Sequence, residues 1–239
     1  MNTLFISDLH LQKQRPEITR AFFSFLDQKA SKADSLYILG DFFEVWVGDD
    51  GTTAFEDDII DRLKRLSKQC EIFFIHGNRD FLIGNQFAAQ SKVTLLPDPT
   101  LITLNNETYL ILHGDSLCTE DHEYMKFRKM VRDQGWQQEF LSKPLFERNA
   151  IARQLRETSK SETANKDIAI TDVTQSEVDG MMLDHHCLKM IHGHTHRPAH
   201  HQFQLADGNA DRWVLGDWCD TGWYIEATDA GVTLKQFKP

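Results

Sequence analysis

Ile191-His192-Gly193-His194-Thr195-His196-Arg197-Pro198 follows the apolar-leaning run Leu188-Lys189-Met190-Ile191 and sets three histidines at alternate positions around one glycine. Read as a strand running into a turn, the alternation predicts His192, His194 and His196 on one side, with Gly193 as the hinge. Imidazole nitrogens converging at a strand end suit a borderline transition-metal ion. A short histidine run fits a solvated loop as well. The choice therefore depends on whether the chain supplies carboxylate partners elsewhere.

Working outward, the same event recurs: an apolar strand ends and a metal-capable side chain follows at once. Thr3 to Ile6 runs into Ser7-Asp8-Leu9-His10, and Ser35 to Leu39 into Gly40-Asp41. Ile72 to Ile75 runs into His76-Gly77-Asn78-Arg79-Asp80, and Tyr109 to Leu112 into His113-Gly114-Asp115. Helices are predicted between the first three strands, one carrying Ile18, Phe22, Phe25 and Leu26 and the next Ile59, Ile60, Leu63 and Leu66 on one face. Strand, helix, strand, helix, strand with short links predicts a parallel sheet of βαβ units. Ligands in such folds gather at the carboxyl ends of strands, so residues far apart in sequence can converge. Any one Gly-Asp or Asp-x-His is weak evidence. Five such strand ends in order are strong.

Beyond Val93 the texture changes. Short strands are predicted at Val93–Leu96, Leu101–Leu104 and Tyr109–Leu112, with Asn105-Asn106 turning a hairpin. Residues 120–165 read as interrupted helix, with the polar stretch Thr158 to Asn165 as a loop. Strands return at Met190-Ile191, Trp213–Leu215, Tyr224–Glu226 and Val232–Phe237. The expectation is one α/β domain over residues 1–239 with a helical insertion at about 119–168.

Composition bounds the function classes. No apolar run reaches the roughly 18 residues of a membrane span, and the N-terminus lacks a signal-peptide pattern. Cys70, Cys118, Cys187 and Cys219 are widely spaced, which argues against a zinc ribbon or a disulfide frame and for reduced cytosolic thiols. A formal charge of -10 argues against general nucleic-acid binding, which needs net basic surface. The stretch from Asp121 to Lys166 stands apart, with ten Lys/Arg against seven Asp/Glu in an acidic chain. It is either a solvated helical face or a platform for an anionic substrate or membrane surface.

The set Asp8-x-His10, Gly40-Asp41, Gly77-Asn78-x-Asp80, His113 and Gly193-His194-x-His196 resembles the calcineurin-like metallophosphoesterases in order and spacing over nearly the whole chain. The resemblance implies an αββα sandwich with a helical lid and two divalent metal ions per chain. One ion falls to Asp8, His10, His196 and a bridging Asp41, the other to Asn78, His113, His194 and the same Asp41. Imidazole and carboxylate ligands without thiolate suit Mn²⁺, Fe²⁺ or Zn²⁺, and the resemblance favours Mn²⁺. His192 has no place in that set and is expected to orient a ligand or pack behind one, and Asp80 to hydrogen-bond without touching metal. His185, His186, His200, His201, Asp115, Asp217 and Asp220 are read as surface or structural, with Asp217 near enough to a strand end to adjoin the site.

Where many members of the family carry His after the Asn, this chain has Arg79, which cannot give up a proton near neutral pH. A leaving group that needs no proton, such as phosphate from a pyrophosphate, is then favoured. The segment after Asp121 combines basic residues (Lys126, Arg128, Lys129, Arg132, Arg153, Arg156) with Phe127, Met130, Trp136, Phe140, Leu145 and Phe146, which fits either plain helix packing or an anionic head with greasy chains. Trp46 and Phe81 are read as exposed beside the ligands. Gly40-Asp41-Phe42-Phe43-Glu44-Val45-Trp46-Val47-Gly48-Asp49-Asp50, Gly77-Asn78-Arg79-Asp80-Phe81, His113-Gly114-Asp115 and Trp213-Val214-Leu215-Gly216-Asp217-Trp218 narrow the resemblance to the UDP-2,3-diacylglucosamine pyrophosphohydrolase family of lipid A synthesis. That resemblance implies hydrolysis to UMP and 2,3-diacylglucosamine 1-phosphate (lipid X), by a two-metal-activated hydroxide attacking the α-phosphorus. Asp41, Arg79 and His194 would be catalytic, with substrate contacts at Asn78, Arg79, Asp121, Ser159, Thr163, Lys166 and His194. Thr163 stands where that family carries Asn, which weakens its place in the set. The resemblance also implies a peripheral protein on the cytoplasmic face of the bacterial inner membrane, with no nucleic-acid or obligate protein partner. The alternatives are a dinuclear phosphoesterase of soluble nucleotide diphosphates or phosphodiesters, and a metal-free binding scaffold.

Overall fold

A computed structural model describes residues 2–164 and 170–239, with side chains described for 2–158 and 170–239. In chain order the strands are β1 (Asn2–Ile6), β2 (Ser35–Ile38), β3 (Glu71–Phe74), β4 (Thr94–Leu95), β5 (Thr100–Leu104), β6 (Glu107–Ile111), β7 (Lys189–His192), β8 (Ala199–Leu205), β9 (Gly208–Val214), β10 (Gly222–Thr228) and β11 (Gly231–Phe237). The helices are α1 (Pro16–Gln28), α2 (Ala54–Leu66), α3 (Asn85–Ser91), α4 (His122–Val131), α5 (Gln134–Ser142), α6 (Leu145–Ala164) and α7 (Gln175–Asp184).

One sheet has the order β11-β10-β1-β2-β3-β4 and the other β5-β6-β7-β9-β8. In the first, β1 to β4 run parallel and β10 and β11 antiparallel; in the second, β6, β7 and β9 are parallel between antiparallel edges. The alternation of side chains along each strand makes the layers. Leu4 and Ile6 of β1 join α1 and α2 in one core, while Phe5 turns to the other face. Tyr109 and Ile111 of β6 meet Phe5, Ile191 and Ile225 between the sheets, and Leu110 packs on Val178 and Met182 of α7. The result is helices, sheet, sheet, helix: the αββα sandwich.

Local rules place most elements where the sequence predicts them. Thr53 and Glu56 form a reciprocal capping box at the start of α2. Asn105 and Asn106 take φ of 51° and 62°, the double left-handed turn a two-residue hairpin needs. Three elements escape the sequence reading: α3, α7 and β8. The expected loop from Thr158 is instead a continuation of α6 to Ala164, because no Gly or Pro stops the helix there. Asn165 lies outside the described residues.

Candidate metal centre and substrate cleft

Five strand ends deliver the site. Asp8 and His10 follow β1, Asp41 follows β2, Asn78 follows β3, His113 follows β6, and His194 and His196 follow β7. The backbone bends sharply at most of them. Asp8, His10, Asp41, His194 and His196 have φ of 58°, 50°, 49°, 68° and 55°. The left-handed region costs a non-glycine residue roughly 1–2 kcal/mol. Its use at five of seven clustered positions marks a site whose side chains are aimed at the expense of backbone ease. The turns also need glycine: a Cβ on Gly77 would lie 2.1 Å from the Asp41 nitrogen, and one on Gly193 2.4 Å from Asp8 Oδ2.

Two groups of ligand atoms result: Asp8, His10 and His196, and Asp41, His113 and His194. His196 Nε2 is 3.4 Å from Asp8 Oδ1 and 3.3 Å from His10 Nε2. Asp41 faces both groups, with Oδ1 3.6 Å from His113 Nε2 and Oδ2 4.0 Å from His10 Nε2. Asn78 Oδ1 sits 2.9 Å from both His113 Nε2 and His194 Nδ1.

Three observations fit cations here. Among the described residues Asp8 Oδ1 is buried with no hydrogen-bond partner, a costly state that coordination would relieve. His113 Nδ1 meets the Leu39 carbonyl at 2.8 Å, so that nitrogen donates and Nε2 keeps a lone pair 2.9 Å from the Asn78 oxygen, two acceptors that a cation would reconcile. Such carbonyl partners commonly fix a metal-binding imidazole. The field also favours positive charge. Burial alone would lower His196, but the Asp8 carboxylate beside it and the charges of Asp217 and Asp41 raise it to about 9. His113 is likewise raised, Asp41, Asp115 and Asp8 overcoming burial. Asp8 is held below the usual carboxylate range; burial opposes this, and His196, His113 and His10 outweigh it. His194 goes the other way, lowered to about 4 by burial and the neighbouring His113.

Supporting residues surround these. Asp80 accepts from the Phe42 and Gly77 nitrogens at 2.7 and 2.8 Å, pinning two ligand loops together. Glu44 Oε2 lies 2.9 Å from His10 Nδ1 and pairs with Arg156. Arg79 donates its backbone N–H to Asp41 Oδ1 at 2.8 Å and holds its Nε 4.0 Å from Asp41 Oδ2. The structure corrects the alternation expected of His192, His194 and His196, while His192 itself packs behind the ligands. It ends β7, wholly buried, with Nε2 2.9 Å from Arg212 and Nδ1 2.9 Å from its neighbour's carbonyl. The three histidines do not share a strand face, because the chain leaves the extended conformation at His194. Burial and the Arg212 charge lower His192 to about 3, so it stands neutral behind the site. Asp217 Oδ2 is 3.9 Å from His196 Nδ1, whereas His200 stacks on Trp213 and meets Asp211, away from the site.

The cleft over these residues is lined by Arg79, Asp121, Tyr124, Arg156, Gln12, Arg15, Asp217 and Cys219, with Tyr124 beside His194 and Asp217 beside His196. Glu44, Asn78, Arg79, Tyr124 and Arg156 also border a second, apolar pocket. Its remaining walls include Trp46, Phe81, Phe127, Trp136, Phe140 and Leu155. Trp46 is buried, contrary to its expected exposure, because Nε1 donates to Asp49 at 3.0 Å and the ring packs on Phe43 and Phe87. Phe81 is half-buried against Trp136. Asp121 caps α4 through the Tyr124 nitrogen at 3.1 Å while lining the cleft. The expected contacts Ser159, Thr163 and Lys166 lie outside the residues whose side chains are described. Sequence reasoning missed Glu44 and Tyr124. Glu44's place in Gly40-Asp41-Phe42-Phe43-Glu44 offered a clue; Tyr124, 5.7 Å from the His194 ring, offered none.

The calcineurin-like phosphoesterase model matches residues 1–198. The chain belongs to the calcineurin-like phosphoesterase family, whose members are metal-dependent hydrolases. Within it, the UDP-2,3-diacylglucosamine hydrolase of Chromohalobacter salexigens is 49% identical over 240 residues, covering 99% of this chain and 98% of the relative. The proteins of that name from Pseudomonas aeruginosa and Azotobacter vinelandii are 49% and 46% identical, covering 95% of each chain and 99% of each chain respectively. Among solved structures, an archaeal phosphodiesterase superposes over 100% of both chains with a TM-score of 0.51 at 14% identity, a likeness of fold. Among the described residues, no helix is long and apolar enough to cross a membrane.

Proposed function

We propose that this chain hydrolyses the pyrophosphate bond of UDP-2,3-diacylglucosamine, giving UMP and 2,3-diacylglucosamine 1-phosphate. The observation that carries the reading is the shared wall between the polar cleft and the apolar pocket, which fits a substrate with a pyrophosphate and acyl chains in one molecule. The names of relatives at 46–49% identity point the same way.

Asp8, His10, His196 and Asp41 would hold one divalent ion, and Asn78, His113, His194 and Asp41 the second, with Mn²⁺ the proposed metal. Such ions supply Lewis acidity and an activated water at neutral pH. The chain's own residues do the rest. Asp41 spans both positions and is itself fixed by the Arg79 nitrogen. The Arg79 guanidinium, beside the shared carboxylate, grips a phosphoryl group through paired donors but cannot protonate a leaving group. Phosphate departs without a proton and a simple alkoxide does not, so Arg79 selects for diphosphates. His194, neutral near pH 7, completes the cradle with Asn78. We further propose that the helices near 119–168 are an insertion into a single domain, and that Lys126, Lys129 and neighbours hold the protein peripherally on an anionic inner-membrane surface.

The test is Mn²⁺-dependent UMP release from UDP-2,3-diacylglucosamine in detergent micelles, beside UDP-glucose and an aryl phosphodiester. Strong preference for the acylated nucleotide is expected. Equal turnover of all three would remove the lipid substrate and leave a general phosphoesterase.

A further inference from the structure

The cleft has two ends, and only one adjoins the apolar pocket. The wall at Tyr124 and Arg156 borders both spaces, whereas Gln12, Arg15, Asp217 and Cys219 border the polar cleft without touching the apolar pocket. If acyl chains and glucosamine lie toward Tyr124, the scissile diphosphate crosses the metal ligands and its nucleotide half must lie over His10 and His196, toward Arg15.

That end is built for a polar, anionic group. Arg15 is half-buried at the start of α1, where its side chain makes no capping bond. Among the described residues its guanidinium meets the Cys219 sulfur at 3.4 Å and the exposed Glu17 carboxylate at 3.4 Å. Among the described residues its Nη2 has no partner, so donors remain for an incoming oxygen. Its backbone is fixed by a 3.0 Å bond from its nitrogen to the Gln12 carbonyl. Asp217 adds a carboxylate 3.9 Å from His196 and reachable from the cleft, an acceptor suited to a vicinal diol. Among the described residues the Thr195 hydroxyl in the same cleft is buried without a hydrogen-bond partner. Among the described lining residues, the aromatic side chain other than imidazole is Tyr124, at the opposite end. Among the described lining residues, the rings at the Arg15 end are the imidazoles of the ligands His10 and His196, which leaves no free ring there to stack a base.

We infer that Arg15 and Asp217 form the nucleotide subsite and hold the ribose 5′-phosphate half of the substrate while leaving the base unread. The inference rests on the pyrophosphate reading above. Arg15 is a positioning residue here, bearing on nucleotide affinity ahead of the chemical step.

The test is calorimetric binding of UMP, dUMP and CMP to the Mn²⁺-loaded full-length chain, for wild type, Arg15→Ala and Arg15→Lys, with inhibition by UMP and by 2,3-diacylglucosamine 1-phosphate measured alongside. Arg15→Ala should weaken UMP at least about tenfold, the loss of a charge-assisted contact, leave the lipid product within twofold, and keep its melting temperature. Arg15→Lys should recover part of the loss. In the wild type, CMP should match UMP and dUMP should bind more weakly. Unchanged UMP binding in Arg15→Ala, or an equal loss for the lipid product, would overturn the assignment. Tenfold preference for UMP over CMP would show that the base is read. Arg15-dependent UMP binding without hydrolysis of the acylated substrate would keep this subsite and discard the pyrophosphate reading.

Discussion

The metal-facing strand ends and the helices from Asp121 to Thr158 sit on either side of one cleft, yet they are held in opposite ways. The strand ends are over-determined. Asp80 ties two ligand loops, Leu39 orients His113, and the Asp8 carboxylate accepts from the His194 nitrogen at 2.9 Å. The helical side packs Trp136, Phe140 and Ile151 on the core and is held otherwise by side-chain clasps. Asp115, wholly buried, accepts from Tyr124 Oη at 2.7 Å and Arg128 Nε at 2.9 Å, and Arg132 lies 3.7 Å away. At the far end Arg148 pairs with Asp50 and donates to the Val47 carbonyl at 2.7 Å. Between these clasps large apolar groups stay open, Phe146 being 72% exposed. Rigid aiming suits the reacting atoms, and a lightly fastened apolar wall suits chains that must enter and leave.

The comparison breaks first at Asp41. Asp41→Ala should lower turnover by at least about a thousandfold, since both metal positions lose a ligand, with metal content falling and the fold retained. Near-normal activity with metal supplied would show that the bridging role is wrong.

Next is the clasp. Asp115→Ala leaves Tyr124 and Arg128 without their buried acceptor and should cost about 3 kcal/mol, read as an early transition in denaturant. The Asp115 carboxyl is held below its ordinary range; burial opposes this, and His113, Arg128 and Arg132 outweigh it. A depressed folded pKa gives stability that is present above the unfolded value near 4 and lost as pH falls below it. The wild type should therefore lose stability below about pH 4, and Asp115→Asn should lack that component.

Smaller effects sharpen the division of labour. Trp136, stacked on Phe140 at 5.1 Å, shapes the apolar wall. Trp136→Ala should lower kcat/KM for the acylated substrate by about tenfold, a modest share of the roughly 3–5 kcal/mol a buried Trp can carry, and leave UDP-glucose turnover unchanged. Arg79→His should cut pyrophosphate turnover and raise that of aryl or alkyl phosphodiesters, within the roughly 10²-fold reach of one general acid. An unchanged substrate profile would end the leaving-group argument. Smallest is Lys129→Ala, which should weaken attachment to anionic vesicles by about 1 kcal/mol, and added salt should do the same to the wild type.

How much was legible differs between the two sides. Asp8, His10, Asp41, Asn78, His113, His194 and His196 could be picked out because each follows an apolar run within three residues or less of a glycine or a second ligand, a short-range pattern. Three kinds of feature could not. β8 is a polar edge strand, its His200, His201, Gln202 and Gln204 all outward enough to erase the alternation. α7 carries Gly180 in its middle and little sidedness. The Asp115–Tyr124–Arg128 clasp joins a strand-end loop to a helix, and neither side alone shows the other.

The sequence by itself determined most of the strands and helices, the α/β class and the pool of ligand-capable residues, because periodicity and turn chemistry act over a few residues; the αββα layering was what the family resemblance implied. Strand alternation put all three histidines of His192-Gly193-His194-Thr195-His196 on one side and only the family resemblance set His192 apart; the tertiary structure supplies the physical reason for that division. It turned His194 and His196 out of the strand with left-handed backbone and left His192 paired with Arg212. It also decided that a polar cleft and an apolar pocket share a wall, since that wall is built from residues as distant as Glu44, Arg79, Tyr124 and Arg156. Such contacts exist only once the sheets have packed and carried their loops to a common edge.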